Sequence, residues 1–305
     1  MKTMTWTSAG RAAAAALLAA AAPGCRQAVE TPAAPPLLIH VGGTMRPVFQ
    51  ELAKRYVAAG GDPVEINAAG SGELLARIEN AKEGDLYVCH DPFLDSLMIR
   101  GLGVDGWTVA QVTPTILVAK GNPKGVRSLA YLARPDVSVV LTDPDYSTLG
   151  HMLPAMFQRA GVDLAALQAR PTFRTFREGG QAANVVKAGE ADATIVWNAV
   201  AHLRRDELDA VAIPADHLPR PDVDAITSAT NRRYDIGRIR VTIATLNCSR
   251  RPDAARAFAE FAASPEASSV FAQFGFTETA PVREYRDGRA VGRAPAQAAP
   301  GPAAP

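Results

Sequence analysis

The chain has 305 residues, 48% hydrophobic and 21% charged, with a formal net charge of +1. That balance fits a globular protein with a sizeable core and excludes a basic nucleic-acid-binding surface or an acidic solvating tail. Three cysteines (Cys25, Cys89, Cys248) are too few for a disulfide scaffold and match no zinc spacing, and the 5 histidines form no HExxH pair.

Lys2 and Arg11 flank the start of an apolar run, Ala12–Ala22, made only of Ala and Leu. It is too short to span a bilayer and suits the core of a signal peptide. The run ends at Ala22-Pro23-Gly24-Cys25, which resembles a lipoprotein processing site. It departs from the usual pattern in lacking Leu three residues before the cysteine and in carrying Pro before Gly. A lipid on Cys25 would hold the protein to a membrane surface without a spanning helix; the competing reading is an ordinary signal peptide with a cysteine nearby. Residues 1–25 are thus expected to be an export segment, and 26–36, rich in Pro and Ala, a tether.

Short apolar runs then alternate with helical stretches. Strands are expected at Leu37–Val41, Val64–Asn67 and Asp85–Cys89, and helices at Arg46–Ala59, Gly72–Asn80 and Pro92–Arg100. The first helix carries Val48, Phe49, Leu52, Tyr56 and Val57 at helical spacing; the second carries Leu74, Leu75 and Ile78 on one face. A second block follows, with strands at Thr115–Ala119, Val137–Leu141, Thr172–Phe176 and Ala193–Trp197 and helices at His151–Ala160 and Gln181–Ala188. Another strand, Arg240–Leu246, and helices at Pro252–Phe261 and Pro265–Phe274 come last. This rhythm implies an α/β fold of mainly parallel sheets flanked by helices. Its expected organisation is two lobes, 37–113 plus 240–286 and 114–239, with a ligand cleft between them. Residues 287–305, again Ala, Pro, Gly and Arg, are expected to be a disordered tail.

Glycine-hydroxyl-helix loops stand at the carboxyl ends of strands, where open α/β sheets bind ligands. Gly42-Gly43-Thr44 follows the first strand, with Pro47 suited to the first turn of the next helix. Gly70-Ser71-Gly72 follows the second. Unpaired N–H groups and the helix dipole favour an anion at each, although Thr44 could equally be a plain N-cap. Asp143–Gly150 (with Ser147 and Thr148) and Glu178-Gly179-Gly180-Gln181 precede helices of the second block and offer N–H groups from the opposite side. Hydroxyls and N–H groups suit a fully deprotonated oxyanion, since they present no acceptor to a protonated one.

These segments resemble the periplasmic molybdate-binding proteins, substrate-binding subunits of ABC importers. The resemblance spans most of Leu37–Phe276 and is carried by GSGELLARIENAKEGDLYVCHD (Gly70–Asp91), VAKGNP (Val118–Pro123), GQAANVVKAGEADATIVWNAV (Gly180–Val200) and Val241–Phe276 with its closing FGF. It implies the two-lobe type II periplasmic-binding-protein fold and an exported, monomeric binding protein in the periplasm or cell envelope. Such a protein has no catalytic residues and no cofactor; it captures molybdate or tungstate for an ABC permease. Carried over by position, the oxyanion ligands are the hydroxyls of Thr44 and Ser71, the backbone N–H groups at Leu149 and Gly179, and Trp197, where the family has a tyrosine and the indole N–H must substitute. Gly43, Gly72, His90, Asp91, Ser147 and Thr148 are cleft neighbours.

Cys89-His90-Asp91 departs from the family's small residues. The bland reading makes Cys89 a buried small hydrophobe and Asp91 the cap of the helix begun at Pro92. The alternatives are another anion or a transition metal held through His90 and Asp91, with His151 or Glu178, and a Cys89–Cys248 disulfide in an oxidising compartment. An exported enzyme is a third class, but no nucleophile–base pair or GxSxG elbow supports it; no helix-turn-helix precedes the lobes to support a DNA-linked regulator.

Overall fold

The computed structural model describes residues 34–144, 147–221, 223–227 and 233–291. The export segment and Cys25, together with most of the tether and tail, therefore lie outside the described residues. No helix among those described is long and apolar enough to cross a membrane.

In chain order the elements are β1 (Leu37–Gly42), α1 (Arg46–Ala58), β2 (Val64–Ala69), α2 (Ser71–Ala81), β3 (Leu86–His90), α3 (Phe93–Ile99), β4 (Gly103–Val112), β5 (Pro114–Ala119), α4 (Leu129–Leu132), β6 (Val140–Thr142), α5 (Thr148–Arg159), α6 (Leu164–Gln168), β7 (Arg174–Phe176), α7 (Gly179–Lys187), β8 (Ala193–Trp197), α8 (Asn198–Leu203), β9 (Leu208–Ala212), β10 (Ala225–Thr227), β11 (Arg233–Asp235), β12 (Ile239–Leu246), α9 (Pro252–Ala262), α10 (Pro265–Gln273), β13 (Val282–Arg286) and β14 (Arg289–Ala290). A single 3-10 turn, Gly43–Met45, joins β1 to α1.

One seven-stranded sheet runs β14-β13-β4-β12-β3-β1-β2, and a three-stranded sheet runs β8-β5-β9. A parallel pair β6-β7 extends the latter through one bridge, Val139–Ala193. The α/β class therefore holds, but the sheets are mixed rather than mainly parallel. In the large sheet only β3-β1-β2 pair in parallel, while β12 lies antiparallel to both β3 and β4. The reason is connectivity: β12 arrives from the other group of strands and enters between β3 and β4 in the opposite direction. The end of the chain differs too. Arg289–Ala290 pair with Tyr285–Arg286 as a hairpin, so the folded region extends beyond residue 286 into the expected tail.

Helix α1 shows how the core forms. Pro47 occupies its first turn, where no N–H is needed. Its stripe of Val48, Phe49, Leu52 and Tyr56 is buried. Phe49 meets Phe271 edge-on at 5.7 Å, and Tyr56 meets Phe258 at 5.0 Å. The aromatic cluster clamps α1 to α9 and α10; each such ring contributes roughly 2–3 kcal/mol by burial.

Candidate functional site

The starts of four helical segments open into one cavity of about 220 Å³. Gly43 and Thr44 of the turn leading to α1 line it, as do Ser71 at the first position of α2, Thr148 at that of α5, and Gly179 at that of α7. The first N–H groups of a helix have no partner inside it. Four such ends around one space therefore make a strongly anion-favouring cradle.

The hydroxyls are available. Neither the turn at Gly43–Met45 nor α1 nor α2 has a side-chain cap, so Thr44 is not an N-cap. Among the described residues no hydrogen bond occupies the hydroxyl of Thr44 or Ser71. Gly42 keeps these loops together, since a Cβ there would come within 2.8 Å of Ser71 Oγ and 2.6 Å of Met45 Cε. Its lack of a side chain serves loop packing rather than the ligand. Ser147 does cap α5, accepting from Gly150 N, so that helix begins at Thr148, three residues before the expected His151. The Thr148 hydroxyl donates to Asp91 O at 2.8 Å and ties α5 to the end of β3.

Of the residues expected at the ligand, Gly43, Thr44, Ser71, His90, Ser147, Thr148, Gly179 and Trp197 all line the cavity. Leu149, Gly72 and Asp91 do not. Leu149 is buried in the core, and Gly72 packs toward Phe93. Asp91 is taken up by Arg240, whose Nε, Nη2 and backbone N donate to its carboxylate at 2.8, 2.7 and 2.9 Å. It therefore does not cap α3, whose N-cap is Pro92. Burial raises the Asp91 carboxyl despite the Arg240 charge beside it.

No group of three His, Cys, Asp or Glu among the described residues could hold a metal ion. Arg240 holds Asp91, and Tyr234 Oη meets His151 Nδ1 at 2.7 Å, so these groups do not converge with His90. The disulfide expectation also fails: Cys89 and Cys248 are both free. Cys89 lies opposite Thr242 in the β3–β12 register, and Cys248 is six residues further along the antiparallel chain. At ~3.3 Å per residue that is well beyond bridging distance. Burial pushes the Cys89 thiol up to about 12.

Sequence reasoning passed over the apolar wall and the charged rim: Phe93, Val200, Leu203, Arg177 and Arg204 line the cavity too. His90 is nine-tenths buried and its Nε2 has no partner among the described residues. Burial holds its pKa down to about 4, so the ring is neutral at ordinary pH.

The family model described as bacterial extracellular solute-binding protein matches residues 37–277. A binding protein of Haemophilus influenzae is 23% identical over 250 residues, 79% of this chain and 90% of that protein. The molybdate-binding protein ModA of Mycobacterium bovis is 30% identical over 126 residues, 40% of this chain; the match spans about half (48%) of the relative's length. Among solved structures, the periplasmic molybdate-binding protein of Azotobacter vinelandii superposes with a TM-score of 0.66 at 17% identity, covering 79% of this chain and 99% of that one. That likeness is one of fold, and it bears out the type II periplasmic-binding-protein architecture.

Proposed function

Because this chain belongs to the bacterial extracellular solute-binding proteins, we propose that its cleft captures a small oxyanion, molybdate or tungstate, and presents it to an ABC permease. The observation that carries this reading is the convergence of four helical starts on one cavity. In the proposed complex Thr44 and Ser71 donate their hydroxyls. The N–H groups at Leu149 and Gly179 donate from the other side, and the Trp197 indole takes the place of a phenol. Residues 37–113 together with 240–286 act as one lobe and residues 114–239 as the other, and the strand crossings near residues 113 and 239 serve as hinges for closure. Export through the N-terminal segment, with lipid on Cys25, would keep the protein near its permease. Calorimetric titration with molybdate, tungstate, sulfate and phosphate tests the reading; binding of the first two at micromolar levels or tighter supports it.

A further inference from the structure

The cavity holds one group that the oxyanion reading leaves without a task. Glu178 stands at the N-cap position of α7, yet its side chain makes no capping hydrogen bond. It reaches instead toward the loops after β1 and β2. A Cβ on Gly43 would lie 3.3 Å from Glu178 Oε2, and one on Gly70 3.9 Å from Oε1. These are the loops that bear Thr44 and Ser71. Among the described residues no hydrogen bond or ion pair engages the Glu178 carboxylate.

The charged and titratable groups around it are few. Arg177 precedes it in the same loop, and Arg204 lines the rim at the end of α8. Arg204 already binds Asn184 Oδ1 at 2.7 Å and Glu207 Oε2 at 3.4 Å. His90, on β3, completes the set in the cavity lining and stays neutral because it is buried. The loops at Gly43 and Gly70 bring hydroxyls and N–H groups but no charge.

A carboxylate in this position changes the chemistry of the cradle. A doubly charged oxyanion on the same N–H groups would sit against a second anion, and two neighbouring acidic oxygens do not both stay ionised readily. Backbone N–H groups offer a proton nothing and the hydroxyls only neutral lone pairs; Glu178 adds a charged acceptor. We infer that Glu178 is a specificity-determining residue of this cleft and that the site takes its oxyanion together with one proton, held between a Glu178 oxygen and a ligand oxygen. The proton comes from solvent or arrives on the ligand; no other bond forms or breaks. The inference rests on the oxyanion reading above and adds a linkage between capture and pH.

Calorimetric titration of the full protein with molybdate and with sulfate, in buffers of different ionisation enthalpy, reads proton uptake directly. Between about pH 6 and about pH 8 the wild type is expected to take up about one proton per ligand, with affinity falling up to about tenfold per pH unit as pH rises. Glu178→Gln is expected to take up none, to show a flat profile, and to bind the dianion at least about tenfold more tightly than wild type near pH 8. Its melting temperature checks that it is folded. Wild-type binding without proton uptake, or uptake retained in Glu178→Gln, overturns the inference. Proton-linked binding of sulfate with no binding of molybdate or tungstate sinks the ligand identity and keeps the role of Glu178. A folded protein that binds no oxyanion overturns both.

Discussion

The rings of His90 and Trp197 lie 5.5 Å apart, centroid to centroid, at 44°. His90 ends a strand of the seven-stranded sheet and Trp197 ends one of the three-stranded sheet, so the pair joins the two at the cavity. The imidazole is held neutral there, which gives a pH signature. Its folded pKa of about 4 lies below the ordinary 6.5. As pH falls below about 6.5, the unfolded chain takes up a proton that the folded chain refuses, so stability drops toward pH 4 and levels off beneath it. Denaturant unfolding of wild type and His90→Gln at about pH 7.5 and pH 5 measures this. Wild type is expected to lose about 2 kcal/mol more than the variant; equal losses would contradict the assignment.

Thr44 and Ser71 present hydroxyls that no group among the described residues occupies. Thr44→Ala and Ser71→Ala should each weaken oxyanion binding by about 1.5 kcal/mol or more, roughly tenfold, by calorimetry. The melting temperature without ligand should stay nearly unchanged. Trp197→Phe, which keeps an aromatic but smaller ring and removes the N–H, should act in the same direction. A large loss of ligand-free stability in the hydroxyl variants would mean that the groups serve the fold.

Arg240 binds Asp91 through three hydrogen bonds and also approaches Glu284 Oε1 at 3.1 Å and Asp95 Oδ2 at 3.9 Å. Burial works against the guanidinium charge, but the Asp91 carboxylate outweighs it and raises the pKa. Arg240→Met leaves Asp91 buried without its cation, and the expected loss is about 3–5 kcal/mol in chemical denaturation. A loss under about 1 kcal/mol would show that the pair is dispensable.

Cys89 is buried and its thiol is held up near 12, whereas Cys248 is half-buried. In a Cys25→Ser protein, a thiol reagent should label one cysteine rapidly in the native state and two after denaturation, with or without reductant. Two thiols that appear only after reduction would restore the disulfide.

The alternation of strands and helices was legible because α1 and α2 carry clean buried stripes and β1 and β2 end in glycine-hydroxyl loops. Strand β4 was not. Gly103 and Gly106 interrupt its apolar pattern, and the structure supplies the reason: a Cβ on Gly106 would come within 2.9 Å of Leu94 Cδ1. These glycines let α3 lie directly on the strand, a demand visible only in three dimensions. The direction of β12 was equally hidden, because sequence alone does not tell which neighbours a returning strand enters between. At the site, Thr44, Ser71, Gly179 and Trp197 could be read from loops and resemblance. Glu178 was read as a source of N–H groups or as an alternative metal or anion ligand, and only the fold brings its carboxylate to Gly43. Asp91 was misread for a related reason: its partner Arg240 is 149 residues away.

The proposed ligand of this cavity is a tetrahedral metal oxyanion. Isothermal calorimetry of the folded protein with molybdate and tungstate, near pH 6 and with sulfate and phosphate as competitors, tests it most directly. One site, a dissociation constant at or below about a micromolar (about −8 kcal/mol or stronger), and a marked loss in Thr44→Ala are expected. A folded protein that binds neither ion at that level would contradict it.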